Sequence, residues 1–154
     1  MAVHRCLEAA EIPHAFGGAL ALAFYAESRE TADIDINVFL PVGCWPKVRE
    51  ALAPLGIDVD VEPKELGGEN QVKLAWEQNP IHIFFSSDAL HEAMAQEVRE
   101  VPLDGRAIPV IAPEHLVIRK RLLDRPKDRR DIERILAATA VDQSEVDDWV
   151  RRLS

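Results

Sequence analysis

Cysteine is scarce: Cys6 and Cys44 are the two in 154 residues. Their separation suits neither a metal site nor a redox pair. Each reads as a small buried hydrophobe, and a reducing cytoplasm is the expected setting. Long apolar runs are also missing. No segment approaches the ~18 apolar residues that span a bilayer. The first residues lack the apolar stretch of a signal peptide, so neither membrane insertion nor export is expected. Positive charge is in short supply, with 18 Lys and Arg against 27 Asp and Glu, a net charge of −9. A protein built chiefly to grip nucleic acid is usually basic, so that role would need a local basic patch. No internal repeat or low-complexity tract is present. What the chain does have is 47% hydrophobic residues, which argues against disorder. Its length suits one domain, residues 1–154, with an adequate core.

The informative stretch runs from Gly17 to Phe39. Ile34, Ile36 and Val38 alternate with Asp33, Asp35 and Asn37, the period-2 pattern of a half-buried strand. The isoleucines then face a core and the two aspartates share the opposite face, roughly 6.6 Å apart at Cα. Side chains so placed can converge on one divalent cation, or straddle two ions about 3.5–4 Å apart. Without a cation the pair repels itself, and Asp is a poor strand former. A hard ion such as Mg²⁺ would relieve that cost, because it selects carboxylate oxygens. Upstream, Ala15-Phe16 ends a short strand, and Gly17-Gly18 opens an apolar helix from Ala19 to Ala26. A glycine turn at a helix N-terminus presents free N–H groups and the positive dipole end, an anion site. Anion site and metal site together suggest a nucleoside triphosphate with Mg²⁺.

Gly17-Gly18, then Arg29 and Thr31 just ahead of Asp33 and Asp35, resembles the DNA polymerase beta-like nucleotidyltransferase superfamily. Its single-domain bacterial proteins, including the AbiEii abortive-infection toxin type, look most similar. The likeness covers roughly residues 13–136, with the core motif in 13–40. It implies that Gly17 and Gly18 hold the triphosphate and that Asp33 and Asp35 bind Mg²⁺ or Mn²⁺. Arg29 either holds Asp33 or a phosphate, or is a solvated loop residue. Thr31 caps or orients the turn.

A second signature lies downstream. Pro113, Glu114, Leu116 and Lys120 are followed by Lys127, Asp128 and Asp131. Between Arg119 and Arg130 stand seven basic residues against Asp124 and Asp128, the one concentration of positive charge. The resemblance implies that Lys120 reaches nucleotide phosphates and that Asp128 or Asp131 orients basic groups. An ammonium is a suitable point charge for phosphate. Arg119, Arg121, Arg129 and Arg130 read instead as solvated helix charges in weak surface pairs.

The chief departure is His82, which falls where members commonly carry a third carboxylate. Imidazole is a poorer Mg²⁺ ligand than carboxylate but can ligate a transition metal. With a near-neutral pKa it could act as a general base. It could also simply pack beside Phe84.

The remaining elements follow from periodicity and punctuation. Helices are expected over 2–11, from Trp45 to Leu55 (stopped by Gly56), from Asp88 to Gln96 with Ser87 as cap, and from Pro113 to Leu123 with Leu116, Val117, Leu122 and Leu123 buried. Another runs to Leu136. The last begins at a capping box, Asp142 with Glu145, and buries Val146, Trp149, Val150 and Leu153. Ile57–Val61 repeats the acid alternation, with Asp58 and Asp60, as a peripheral strand. Residues 64–70 form a polar loop. Two hairpins are expected, 71–76 with 81–85, and 98–102 with 107–111 around Asp104-Gly105.

The fold class is therefore α/β or α+β: a small mixed sheet flanked by helices, with a helical C-terminal part over about 113–154. The expected function is metal-dependent transfer of a nucleoside monophosphate from an NTP to an RNA, protein or small-molecule acceptor, with a toxin–antitoxin pair as one setting for it. The alternative is a catalytically impaired protein of the same fold that binds nucleotide or a protein partner.

Overall fold

The computed structural model describes residues 2–26, 33–66, 69–76, 79–103 and 105–154. Among these, seven strands form one mixed sheet. They are β1 (His14–Phe16), β2 (Ile34–Val38), β3 (Lys64–Leu66), β4 (Glu69–Leu74), β5 (Ile81–Phe85), β6 (Arg99–Leu103) and β7 (Arg106–Val110), in the order β3-β4-β5-β2-β1-β7-β6. β2 runs parallel to β5 and antiparallel to β1, and β1 runs parallel to β7. The edges are antiparallel hairpins, β3–β4 and β6–β7. The helices are α1 (Ala2–Ala9), α2 (Gly18–Tyr25), α3 (Trp45–Leu52), α4 (Ala89–Gln96), α5 (Pro113–Leu123), α6 (Pro126–Ala138) and α7 (Gln143–Leu153).

Side-chain alternation assigns the two faces. Phe16 pairs with Ile36, and Ile36 with Ile83, so His14, Phe16, Ile36, Val38, Ile83 and Phe85 share one side. α1 and α3 cover it: His4 meets the Phe16 ring at 6.4 Å, and Trp45 meets Phe85 edge-on at 6.3 Å. Asp35, Asn37, His82 and Phe84 share the other side. α5 lies there, and Arg119 donates to Asn37. That face is only partly open to solvent: Asp35, His82 and Phe84 are half-buried. Asn37 is 1% exposed, because α5 covers the sheet.

Several expectations need correction. Ile57–Val61 forms no strand; Asp58 Oδ1 accepts the Asp60 N–H at 3.0 Å in a local turn. A short polar side chain that satisfies its own backbone competes with a ladder. The supposed loop 64–70 instead supplies β3 and the start of β4. α4 is capped by Asp88, whose side chain accepts the His91 N–H, and not by Ser87. In α5 the residues Pro113 to Ile118 are all buried, whereas Leu122 and Leu123 are exposed because the helix end runs past the core. The Asp142 cap on α7 holds, but only half of the box forms: Glu114, not Glu145, accepts the Asp142 N–H. Arg29, Thr31, Gly67, Gly68 and Asp104 lie outside the described residues. No described helix is long and apolar enough to cross a membrane.

Candidate active site

β1 delivers the chain to Gly17, and α2 begins at Gly18. The Gly17 N–H donates to the Asp35 carbonyl at 3.0 Å, which ties the glycine corner to β2. Gly18 has φ +52°, the left-handed region that glycine tolerates. A Cβ there would stand 2.2 Å from Asp35 Oδ2 and 2.8 Å from its Cγ. The Asp35 carboxylate therefore lies directly against the start of α2. We expect Gly18→Ala to lower stability by about 2 kcal/mol through backbone strain and to displace that carboxylate. Chemical denaturation and nucleotide binding would read the two effects separately.

Asp33 sits just before β2 and is exposed. Its charge acts on both Asp35 and His82. Burial raises the Asp35 pKa above the usual carboxylate value; Arg119, Lys120 and Lys127 pull it back down, and Asp33 adds to the rise. Arg125 also senses Asp35. Four cations, from α5, α6 and the turn between them, thus share the field of one half-buried carboxylate.

His82 pairs with Asp35 across the β2–β5 ladder, and its Nδ1 is 4.0 Å from Asp35 Oδ1. Its tautomer follows from its neighbours. The Gln71 amide N–H donates to the Leu66 carbonyl at 3.1 Å, so Gln71 Oε1 faces His82 Nε2, at 2.6 Å. A carbonyl oxygen only accepts, so Nε2 carries the proton and Nδ1 presents a lone pair toward Asp35. The ring also packs on Phe84, with centroids 4.1 Å apart. Burial, helped by Lys73 and Arg119, pushes the His82 pKa down to about 4. The expected near-neutral pKa is thereby corrected: His82 is a neutral, weakly basic group.

The sign of that shift gives a stability prediction. The unfolded chain binds the His82 proton near pH 6.5, whereas the folded chain binds it only near pH 4. The unfolded state therefore holds more protons in this window, and stability falls as pH drops through it. The difference is worth about 3 kcal/mol. Between pH 6.5 and 4, wild type should lose about that much more unfolding free energy than His82→Gln, as followed by urea denaturation at each pH.

Arg119, expected on the solvated helix surface, is largely buried at the site. It is no solvated helix charge. Its guanidinium donates to Asn37 Oδ1 at 2.7 Å and to Glu69 Oε2 at 3.0 Å, and it lies 4.5 Å above the Phe84 ring. The available signal was its place beside Lys120 at the end of a wholly buried helical run. Arg121 and Arg129 do form exposed pairs, with Asp147 and Asp124.

Lys120 is 7% exposed, and its Nζ donates to Asp131 Oδ2 at 2.9 Å and lies 3.7 Å from Asp128 Oδ1. Asp128 accepts the Arg125 backbone N–H and two guanidinium N–H groups. Burial pushes the Asp128 pKa up, but these Arg125 bonds outweigh it and hold the carboxyl below its ordinary value. Asp128 and Asp131 thus orient Lys120 and Arg125 next to the Asp35 corner.

With this geometry in view, three solved structures bear comparison. The antibiotic-resistance factor ANT(2'')-Ia matches with a TM-score of 0.66 and 14% identity, over 98% of this chain and 86% of that one. Lincosamide antibiotic adenylyltransferase LnuA, lincomycin-bound, matches with a TM-score of 0.62 and 18% identity, over 88% of this chain and 92% of that one. A putative nucleotidyltransferase from Thermotoga maritima, TM1012, gives 0.62 and 15%, over 89% of each chain. The fold is that of the nucleotidyltransferases. At the sequence level no protein-family model and no curated protein matches.

Proposed function

We propose that this chain is a metal-dependent nucleotidyltransferase that moves a nucleoside monophosphate from an NTP to a hydroxyl- or amine-bearing small molecule. The observation that carries this reading is the Asp35 carboxylate pressed against Gly18, at the start of a helix and in the field of Arg119, Lys120 and Lys127.

The donor set fits a divalent ion. Asp35 Oδ1 and the His82 Nδ1 lone pair face each other 4.0 Å apart, two acceptors with no shared proton. Asp33 lies two residues before Asp35, just ahead of β2. Asp33, Asp35 and His82 would hold the ion, and the imidazole favours Mn²⁺ over Mg²⁺. When bound, the ion would supply Lewis-acid stabilisation of charge on the reacting phosphate.

The chain's own groups do the rest. The Gly17 N–H is held by the Asp35 carbonyl, so the Gly18 N–H and the α2 dipole receive the phosphate oxygens. Arg29 and Thr31 are proposed to contact the same phosphates. Lys120, Arg125 and Lys127 supply positive charge near the leaving pyrophosphate. The acceptor oxygen or nitrogen attacks the α-phosphorus, the bond to the bridging oxygen breaks, and the acceptor proton passes to solvent. His82, with its pKa about 4, is a poor candidate to take that proton.

Two features support a small acceptor. Two of the relatives in fold were seen with antibiotics or their products: LnuA with lincomycin, and ANT(2'')-Ia with adenylyl-2''-tobramycin. A net charge of −9 repels nucleic acid and attracts a cationic amine. A toxin role with a cognate antitoxin would instead show as labelling of RNA or protein.

The test offers NTPs radiolabelled at the α-phosphate, with Mn²⁺ or Mg²⁺, to aminoglycosides, lincosamides, RNA and whole-cell protein. Label should pass to a small acceptor and be lost in Asp35→Asn. The His82 substitution favours a second reading, a nucleotide-binding module of impaired catalysis. Nucleotide binding by calorimetry without transfer, and no gain on His82→Asp, would select it. Neither binding nor transfer would sink both.

A further inference from the structure

A separate cluster lies at the other end of α5. His115, in the first turn of that helix, is 0% exposed, and neither ring nitrogen has a hydrogen-bond partner. Its Nε2 points at two carboxylates. Glu97 Oε2, just past the end of α4, is 3.4 Å away, and Glu145 Oε1, in the first turn of α7, is 3.8 Å away. The three ligand atoms lie within 4.8 Å of one another.

Glu145 is placed against its local preference. Three residues after an Asp142 cap, it would ordinarily reach back to the Asp142 N–H. Glu114 takes that N–H at 3.0 Å, and Glu145 turns to His115 and Glu97. Burial raises the Glu145 pKa, and the neighbouring Glu97, Glu114 and Asp142 raise it further. Burial also keeps His115 neutral by lowering its pKa, against the pull of Glu97 and Glu114. The nearby cation is Arg99, 3.8 Å from Glu114 Oε1 and more than half exposed. A buried imidazole nitrogen with no hydrogen-bond partner and two carboxylates, Glu145 bonded to Glu97, therefore face a common point.

We propose that Glu97, His115 and Glu145 form a Zn²⁺ site that clamps α7 and the end of α4 onto α5. Bonds of about 2.0–2.2 Å in tetrahedral geometry set ligand atoms about 3.4 Å apart, close to the two spacings seen here. One imidazole and two carboxylates suit zinc, and imidazole disfavours Mg²⁺. Three protein ligands leave the fourth position for water. Zinc occupies one of the two orphaned nitrogens of His115, and the carboxylates cease to repel. This site shares no residue with the Asp35 corner and does not depend on nucleotide chemistry.

The experiment uses full-length, chelator-stripped Asp35→Asn protein, so that the Asp35 corner does not contribute. Calorimetric titration with Zn²⁺ should show one ion per chain and a raised melting temperature, with no comparable shift from Mg²⁺. Glu97→Gln and Glu145→Gln, both at solvent-accessible positions, should each weaken zinc binding by at least about tenfold, and together abolish the thermal shift. His115→Gln should do the same if it folds. Zinc binding of unchanged affinity in the double glutamine variant, or no zinc binding to the parent, would overturn the proposal.

Discussion

Asp35→Asn is expected to cut nucleotidyl transfer by roughly a hundredfold or more while raising the melting temperature. The first effect follows from losing a carboxylate that faces both the glycine corner and the His82 lone pair. The second follows from the sign of its pKa shift. Burial raises the Asp35 pKa above its ordinary value, so ionising it at neutral pH costs the folded state more than the unfolded one. Asn has the same shape and no charge. The stability difference between variant and wild type should shrink as pH falls and vanish below the unfolded value of 3.8, where wild type becomes protonated in both states. Such opposition between stability and activity is usual where a charge is held for chemistry. Should Asp35→Asn melt lower than wild type across neutral pH, the carboxylate is a structural element and the enzymatic reading loses its main support.

Lys120→Met carries the largest expected structural effect. The ammonium lies against Asp131 at 2.9 Å and Asp128 at 3.7 Å, and those two side chains are 1% and 0% exposed. Removing one partner of a buried ionic cluster typically costs about 3–5 kcal/mol, because the remaining charge stays in a dry environment. The melting temperature should fall by about 10 °C or more. The double variant Lys120→Met/Asp131→Leu should recover much of this loss, since a buried ion pair is often replaceable by apolar groups. The double variant also separates two roles of the lysine. If stability returns and transfer does not, the positive charge acts on the nucleotide; if both return, Lys120 is a structural tie between α5 and α6.

Much of the candidate site was legible from local pattern. Alternation of Ile34, Ile36 and Val38 with the acids defines β2, and Gly17-Gly18 marks the turn into α2, because strand and turn preferences act over a few residues. His82 was placed by resemblance, at the position of the family's third carboxylate, and the β2–β5 ladder sets it opposite Asp35. The sequence could not reveal its proton. That depends on Gln71, which is itself held by the Leu66 carbonyl in an edge hairpin that reads as a polar loop. Edge strands carry little hydrophobic pattern, so their pairing is set by the neighbour. Asp58 and Asp60 show the converse: their alternation is strand-like, yet no strand forms.

By its own local chemistry, then, the chain determined where the glycine corner and the acidic strand lie, and which helices follow them. Only the tertiary structure decided what those groups experience. Arg119 meets Asn37 across 82 residues of sequence, and Lys120 on α5 meets Asp131 on α6. Glu97 and Glu145 converge on His115 from opposite sides in sequence. Burial, field and proton position are properties of groups brought together by packing, and no window of neighbouring residues contains them.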